Sequence, residues 1–249
     1  MSAGTDARTD ARAARVATER LLEADAPQLP PGFWDRVERF VALLLEANTR
    51  LNLTRVVEPD AVARLHLLDS LAALPFLDEL EPRRALDLGT GGGVPGLVLA
   101  MARPDVAWTL VDSVRKKADA VSGFVDVLGL TNVSVIAERA ETLGQDASHR
   151  ETHDLVAARA CAPLAVLVEY ALPLLAVNGQ LLAWKGRMEP AELKAGTAAA
   201  HRLGGATPSI HALRHEALGD HRFVVVPKRR PTLAAYPRRP GEPSRRPLS

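Results

Sequence analysis

The chain has 249 residues, 47% of them hydrophobic, and its formal net charge at pH 7 is +1. A chain of this length can bury a large core, so it needs no disulfide or metal to hold it together. The single cysteine, Cys161, excludes an intrachain disulfide. We expect Cys161 to be a packing residue, and we expect no metal site.

The sequence carries no sign of export or membrane insertion. The first fifteen residues, MSAGTDARTDARAAR, lack the apolar run of a signal peptide. The most apolar segment, residues 163–177, is interrupted by Glu169 and Pro173 and is too short to span a bilayer. We therefore expect a cytoplasmic protein that does not contact a membrane, and we expect a monomer.

The N-terminal third is predicted to be helical after a flexible start. Residues 1–32 are expected to be a flexible segment, disordered over residues 1–12, where Ala, Asp, Arg and Thr predominate. Apolar residues recur at helical spacing from Phe33 onwards, and Glu58-Pro59-Asp60 is typical of a helix start. Residues 33–80 are therefore predicted to form a helical cap.

From residue 81 to residue 230 the sequence predicts a main α/β domain. Apolar strand-like runs alternate with helical runs, which indicates a parallel sheet covered on both faces. The predicted strands are residues 85–89, 107–112, 133–138, 154–159 and 179–186, followed by 209–213 and 221–228, which could pair as a hairpin at the sheet edge. The predicted helices are at about residues 95–102, 115–129, 163–176 and 189–203.

The C-terminal residues 231–249 form a basic tail rich in proline and arginine. From Pro227 to the end of the chain there are seven basic residues against one acidic residue, Glu242. A segment of this composition cannot build a core, so we expect it to be extended and solvated unless something anchors it. Arginine suits phosphate groups, which predicts that the tail contacts a nucleic acid.

A glycine-dense turn follows the first predicted strand, in the stretch ALDLGTGGGVPG at residues 85–96. Glycine allows a ligand to approach the backbone closely, and in a parallel sheet the ligand binds beyond the carboxyl ends of the strands. Asp87 ends the first strand. Asp112 ends the second, where an acid meets ribose hydroxyls in nucleotide-binding folds. A merely tight turn is the structural alternative.

The pattern Asp87-x-Gly89-x-Gly91 resembles the S-adenosylmethionine loop of the seven-stranded methyltransferases. That cofactor carries a sulfonium cation and an ammonium group and no phosphate, so carboxylates and carbonyls suit it. Further blocks resemble one family in that family's order, the RsmG (also called GidB) methyltransferases of bacterial small-subunit ribosomal RNA. These blocks are NLTRV (52–56), RLHLLDSL (64–71), LVDSVRKK (110–117), ERAETL (138–143), AARACAPL (157–164), LAWKG (182–186) and YPRRPGEPSRRPL (236–248).

The resemblance implies a Rossmann-like seven-stranded methyltransferase domain at residues 81–230. It implies methyl transfer from S-adenosylmethionine to N7 of a guanine in 16S ribosomal RNA, with the small ribosomal subunit as partner. The cofactor contacts that it and the glycine motif imply are Asp87, Gly89, Gly91, Val94, Asp112, Ala140, Glu141 and Arg159. One departure concerns His221 and Arg222, whose order is the reverse of the family's usual arginine and histidine, so a role for this pair in substrate binding does not carry over.

Four residues are predicted to serve the reaction itself: Arg159, His66, Asp69 and Lys185. Guanine N7 is unprotonated at neutral pH, so catalysis should come from positioning rather than from a general base. His66 and Asp69 lie three positions apart and would share a helix face; alternatively Asp69 caps the next helix. Arg159 could form a buried ion pair instead of contacting ligand. Lys185 could contact RNA phosphate or a pocket acid, or be a solvated strand end.

Three other functions remain open at this point. A methyltransferase acting on a small molecule or a protein would share the cofactor loop but leave the basic tail unexplained. A nicotinamide oxidoreductase would use the same fold and bind NAD. A non-catalytic RNA-binding protein would keep only a vestigial pocket, which the intact glycine loop disfavours.

Overall fold

The computed structural model describes residues 3–22, 26–159, 162–213 and 215–249, and Cys161 lies outside these ranges, so its packing role stays a prediction. A seven-stranded sheet in the order β3-β2-β1-β4-β5-β7-β6 forms the centre of the molecule. The strands are β1 (Arg84–Leu88), β2 (Ala107–Val111), β3 (Val133–Ile136), β4 (His153–Arg159), β5 (Leu175–Lys185), β6 (Ser209–Ala212) and β7 (Arg222–Pro227).

The pairing within this sheet confirms the predicted parallel sheet and its edge hairpin. Strands β1 to β5 pair in parallel, whereas β7 runs antiparallel to both β5 and β6. Because β1 has β2 on one side and β4 on the other, the strand order reverses at β1. The carboxyl ends of β1, β2 and β4 therefore meet at the switch point where ligands bind in open α/β sheets.

Helices cover both faces of the sheet, and the period-two alternation of the strands divides the core between them. On one face Trp108, Leu110 and Phe223 pack with the N-terminal helices, and on the other Val111, Val156 and Val224 pack with the later ones. The sheet-covering helices are α6 (Gly96–Ala102), α7 (Arg115–Leu128), α8 (Ala140–Leu143), α9 (Leu164–Ala171) and α10 (Pro190–Arg202). Short 3₁₀ turns occur at Leu172–Leu174 and Glu216–Leu218.

The N-terminal segment is helical, so the expectation of disorder in residues 1–12 is wrong from residue 3 onwards. Helix α1 (Ala3–Leu22) packs on α2 (Phe33–Leu51). Ala7, Ala11 and Ala14 lie at helical spacing and are buried. Alanine has the highest helix propensity, and its small side chain lets two helices approach closely. The composition that suggested disorder therefore supports a packed helix.

The predicted cap continues as a bent run of short helices: α3 (Pro59–Val62), a π-helical turn (Ala63–Leu68), α4 (Asp69–Leu71) and α5 (Leu74–Leu80). Pro59 occupies the first turn of α3, as predicted. The backbone stays helical through Asp69, whose side chain does not cap a new helix. His66 and Asp69 therefore belong to one helical stretch.

The C-terminal tail is folded onto the domain, which corrects the expectation of an extended, solvated segment. Lys228 is fully buried and pairs with Glu151 at 2.6 Å, and Arg238 pairs with the fully buried Glu169 at 2.5 Å. Residues Glu242–Arg245 form α11, and Leu248 is buried in the core. Lys228, just before the tail, and Arg238, within it, thus serve the fold. No helix in the described part of the chain is long and apolar enough to cross a membrane.

Candidate functional site

The glycine turn between β1 and α6 is tied to the end of β2. The amides of Gly89 and Thr90 both donate to the carbonyl oxygen of Val111, at 2.8 and 2.9 Å. Gly89, Gly91 and Gly93 have φ angles of 77°, 59° and 93°, a region that side chains other than glycine rarely adopt. The sequence therefore needs glycine here to reverse the chain while exposing its backbone.

Asp87 lies behind this turn and supports it. Its Oδ2 accepts the Gly96 amide at 3.0 Å, and a Cβ on Gly96 would lie only 2.6 Å from that oxygen. Burial raises the pKa of Asp87 to about 6, although the nearby Thr90 hydroxyl and the Gly96 amide oppose the rise. Asp87 Oδ1 is buried without a hydrogen-bond partner. The structure thus places this predicted cofactor residue at the base of the turn, outside the two cavities described next.

A cavity of about 250 Å³ opens at the carboxyl ends of β1, β2 and β4; we call it the strand-end cavity. Its lining is Leu88, Gly89, Val111, Asp112, Ser113, Glu138, Arg139, Ala140, Glu141, Arg159 and Tyr170. Asp112 is held by two backbone amides: Gly91 donates to Oδ2 at 3.0 Å and Val114 donates to Oδ1 at 2.8 Å. Five of the predicted cofactor residues, Gly89, Asp112, Ala140, Glu141 and Arg159, therefore share one cavity.

A second cavity of about 160 Å³ lies between the glycine turn and the helical cap; we call it the cap-side cavity. Its lining is Leu44, Leu53, Thr54, His66, Gly89, Thr90, Gly91, Gly92, Val94 and Arg159. The predicted residues Gly91 and Val94 lie here rather than in the strand-end cavity. Gly89 and Arg159 line both cavities, so the two spaces adjoin at these residues.

A buried network holds Arg159 at this boundary. Arg159 Nη1 donates to the carbonyl oxygen of Leu65 at 2.5 Å and to Asp69 Oδ2 at 3.3 Å. The other carboxylate oxygen of Asp69 bonds His221 Nδ1 at 2.9 Å, and its main-chain carbonyl accepts Trp184 Nε1 at 2.9 Å. Arg159 thus forms the ion pair considered above and also faces both cavities.

His66 lies beside Arg159 without bonding to Asp69. Its Nε2 is 2.9 Å from the hydroxyl of Thr54, and its Nδ1 is buried without a partner. Burial and the charge of Arg159 lower the pKa of His66 to about 4. The imidazole is therefore neutral at pH 7, so it can offer a hydrogen bond but not a positive charge.

Lys185 lies in neither cavity. Its ammonium donates to Glu192 Oε1 and to the carbonyl oxygen of Ala162, both at 2.8 Å, and it is largely buried. Glu192 Oε1 also accepts the Leu164 amide at 3.0 Å. Lys185 thus links the end of β5 to α9 and α10. The acid that it contacts, Glu192, supports the fold and lines neither cavity.

Tyr170 and Thr54 line the two cavities and His221 contacts Asp69 beside them, but the sequence predicts none of these three positions. Tyr170 lies in α9, between β4 and β5 in the chain, and belongs to no recognised sequence motif. Thr54 lies in the recognised block NLTRV, but nothing there distinguished its hydroxyl. His221 was noticed only as a departure from the family pattern, and the structure places it against Asp69. Within the described residues no cluster of three or more His, Cys, Asp or Glu side chains could hold a metal ion.

Comparison of the sequence with known families finds one match over most of the chain. A family model described as "rRNA small subunit methyltransferase G" matches residues 34–221. The Ribosomal RNA small subunit methyltransferase G of Deinococcus radiodurans is 45% identical over 215 residues, which is 86% of this chain and 85% of that protein. The protein of the same name from Deinococcus deserti is 43% identical over 236 residues, covering 93% and 96%.

Comparison with solved structures finds the same fold in distant proteins. A SAM-dependent O-methyltransferase from Thermotoga maritima aligns with a TM-score of 0.52 at 14% identity, over 75% of this chain and 71% of that one. The CMeT domain of the citrinin polyketide synthase aligns with a TM-score of 0.56 at 12% identity, over 86% and 69%. At these identities the likeness shows the fold alone, a Rossmann-like α/β fold.

Proposed function

The chain belongs to the rRNA small subunit methyltransferase G family, and from this premise we propose that it transfers a methyl group from S-adenosylmethionine to N7 of a guanine in 16S ribosomal RNA. The observation that carries the proposal is the pair of adjoining cavities at the carboxyl ends of β1, β2 and β4. One cavity can hold the cofactor and the other the base, with Gly89 and Arg159 between them. The ribosomal substrate is consistent with the expected cytoplasmic location.

The strand-end cavity fits S-adenosylmethionine by the chemistry of its lining. Asp112, Glu138 and Glu141 line it with carboxylates, which accept hydrogen bonds from ribose hydroxyls and attract cations, and Arg139 and Arg159 line it too. The match to a methyltransferase family over residues 34–221 disfavours the oxidoreductase alternative. We propose that Asp112 accepts hydrogen bonds from the ribose hydroxyls of the cofactor and that Ala140 and Glu141 border its adenine ring.

The chemical demand on the protein is small, because guanine N7 carries a free lone pair at neutral pH. When bound, S-adenosylmethionine supplies the electrophilic methyl group of its sulfonium centre. The protein then has to hold the base in line with that methyl and exclude water, which is catalysis by positioning. We propose that the cap-side cavity receives the guanine, with Thr54, His66 and Arg159 as its polar contacts.

The network around Arg159 suits a product that carries positive charge. A methylated guanine is cationic, and an unpaired guanidinium beside it would oppose the reaction. Asp69 lies within 3.3 Å of that guanidinium and is almost fully buried, so it offsets the charge at the cavity boundary. The lowered pKa keeps His66 neutral as well. We propose that Arg159 contacts ligand directly, that Asp69 positions it, and that Lys185 acts only through the fold.

The proposal is tested on ribosomal RNA from cells with and without the gene for this chain. Nuclease digestion followed by mass spectrometry should show 7-methylguanosine in 16S ribosomal RNA that disappears in the deletion strain. Complementation with the wild-type chain should restore it, and complementation with Asp112→Ala should restore less at equal protein level. Unchanged 7-methylguanosine in the deletion strain would contradict the proposed reaction.

A further inference from the structure

The tail residues 236–244, which we call the strap, contact the outer side of the strand-end cavity. Glu141 and Tyr170 line that cavity. The amide of Gly241 donates to Glu141 Oε1 at 2.7 Å, and the hydroxyl of Ser244 lies 2.8 Å from the hydroxyl of Tyr170. Two lining residues, one from α8 and one from α9, are therefore each bonded to the same short segment.

The strap is itself firmly anchored. Arg238 makes three hydrogen bonds to Glu169, the residue next to Tyr170: its amide and Nε donate to Oε1 at 3.0 and 2.8 Å, and its Nη2 donates to Oε2 at 2.5 Å. Glu169 is fully buried, and a buried carboxylate needs such donors. Arg150 further donates to the carbonyl oxygen of Tyr236 at 2.7 Å.

The strap also packs against the end of α8, the helix that carries Ala140 and Glu141. A Cβ on Gly144 would lie 2.9 Å from the ring of Pro237, so the strap and the helix end are in close contact. Gln145 Nε2 donates to the Pro237 carbonyl at 2.9 Å. Because Glu141 is only 4% exposed, its carboxylate cannot rely on water, and Gly241 supplies a fixed donor.

We propose that the strap is a positioning element for S-adenosylmethionine: it fixes Glu141 and Tyr170 in the cavity wall, so docking of the strap and binding of the cofactor stabilise each other. This inference rests on the proposed use of the strand-end cavity by that cofactor. Coupling of this kind is reciprocal: what the strap adds to cofactor affinity, the cofactor adds to strap docking.

The first test uses the unmodified full-length protein. Hydrogen–deuterium exchange is measured with and without saturating S-adenosylmethionine, after calorimetry has established binding. We expect strap amides, Gly241 above all, to exchange about fivefold or more slowly with cofactor, together with the amides of residues 138–144. Protection of residues 138–144 without protection of the strap overturns the inference alone. Failure to bind the cofactor in calorimetry overturns the proposed function and this inference with it.

The second test uses point variants that leave the cavity lining intact. Gly144→Ala should displace Pro237, and Ser244→Ala removes the hydroxyl that meets Tyr170. We expect each to raise KM and Kd for S-adenosylmethionine about three- to tenfold, the range for one lost hydrogen bond or contact, with kcat at saturating cofactor unchanged. Arg246→Ala is the matched control, an exposed arginine just beyond the strap, and should leave both constants as in the wild type.

A lowered melting temperature with unchanged KM and Kd in both variants overturns the inference, because it would make the strap a stability element only. Arg238→Lys gives a graded check, since lysine keeps the charge facing Glu169 but loses the two-pronged contact. We expect its KM for the cofactor to lie between those of the wild type and Gly144→Ala. A KM equal to that of the wild type, with Arg238→Lys folded, would also count against the coupling.

Discussion

Replacing Asp112 with alanine should weaken S-adenosylmethionine binding and, to a smaller extent, the fold. The carboxylate is 8% exposed and holds the amides of Gly91 and Val114 at 3.0 and 2.8 Å. Loss of a charge-assisted contact to a ribose hydroxyl costs about 1.5–3 kcal/mol. At about 1.4 kcal/mol per factor of ten, the cofactor Kd should rise roughly ten- to a hundredfold.

The same substitution leaves two amides without their acceptor, which we estimate at about 1–3 kcal/mol of stability because both lie near the cavity and can reach water. For a chain of this size each kcal/mol lowers the melting temperature by about 2–4 °C, so we expect a fall of roughly 2–12 °C. Asp112→Asn keeps one acceptor oxygen, so its melting temperature should fall less than that of Asp112→Ala. Its affinity for the cofactor should still be reduced. Asp126→Ala, which removes an exposed acid from α7, the helix that follows Asp112 in the chain, is the charge-matched control.

Titration calorimetry and thermal melting of the four proteins separate the two effects. An unchanged Kd in Asp112→Ala with a lowered melting temperature would refute the reasoning, because Asp112 would then be a brace for the glycine turn and nothing more. Equal losses in Asp112→Ala and Asp126→Ala would refute it too, since a general charge effect would explain both.

Three further predictions follow from the structure. Gly91→Val should abolish cofactor binding in calorimetry, because φ at Gly91 is 59° and a branched side chain is strained there; normal binding would mean that the turn is structural only. Truncation before Pro231 should lower the melting temperature, since Glu169 loses Arg238, and should also weaken cofactor binding; an unchanged melting temperature would contradict the observed packing. As pH falls from 6.5 to about 4, His66 takes up a proton in the unfolded chain but stays neutral in the folded protein, so the free energy of unfolding decreases. The variant His66→Gln should flatten that part of the plot of melting temperature against pH. An identical slope in the variant would refute the assignment.

The sequence alone was enough to predict the central sheet, the glycine turn and five of the eleven residues that line the strand-end cavity. Strand periodicity and the positions of Gly89 and Asp112 are local features, and a parallel sheet brings the ends of neighbouring strands together whatever the rest of the chain does. The tertiary structure places the predicted site residues in different parts of the molecule. Gly91 and Val94 face the cap-side cavity, Asp87 lies behind the turn, and Lys185 pairs with Glu192.

The two chain ends show where composition misleads. An alanine-rich segment and a proline–arginine tail have the composition of disordered chain, but each meets a complementary surface. Ala11 and Ala14 are fully buried in the core that includes α2, and Arg238 meets a carboxylate 69 positions earlier in the chain. The contact of His221 with Asp69 spans 152 positions. Such pairings depend on which surfaces the topology brings together, and burial gives them their strength because unpaired charge is costly away from water. The spacing of apolar residues along the sequence does not indicate these pairings, because they depend on the tertiary structure.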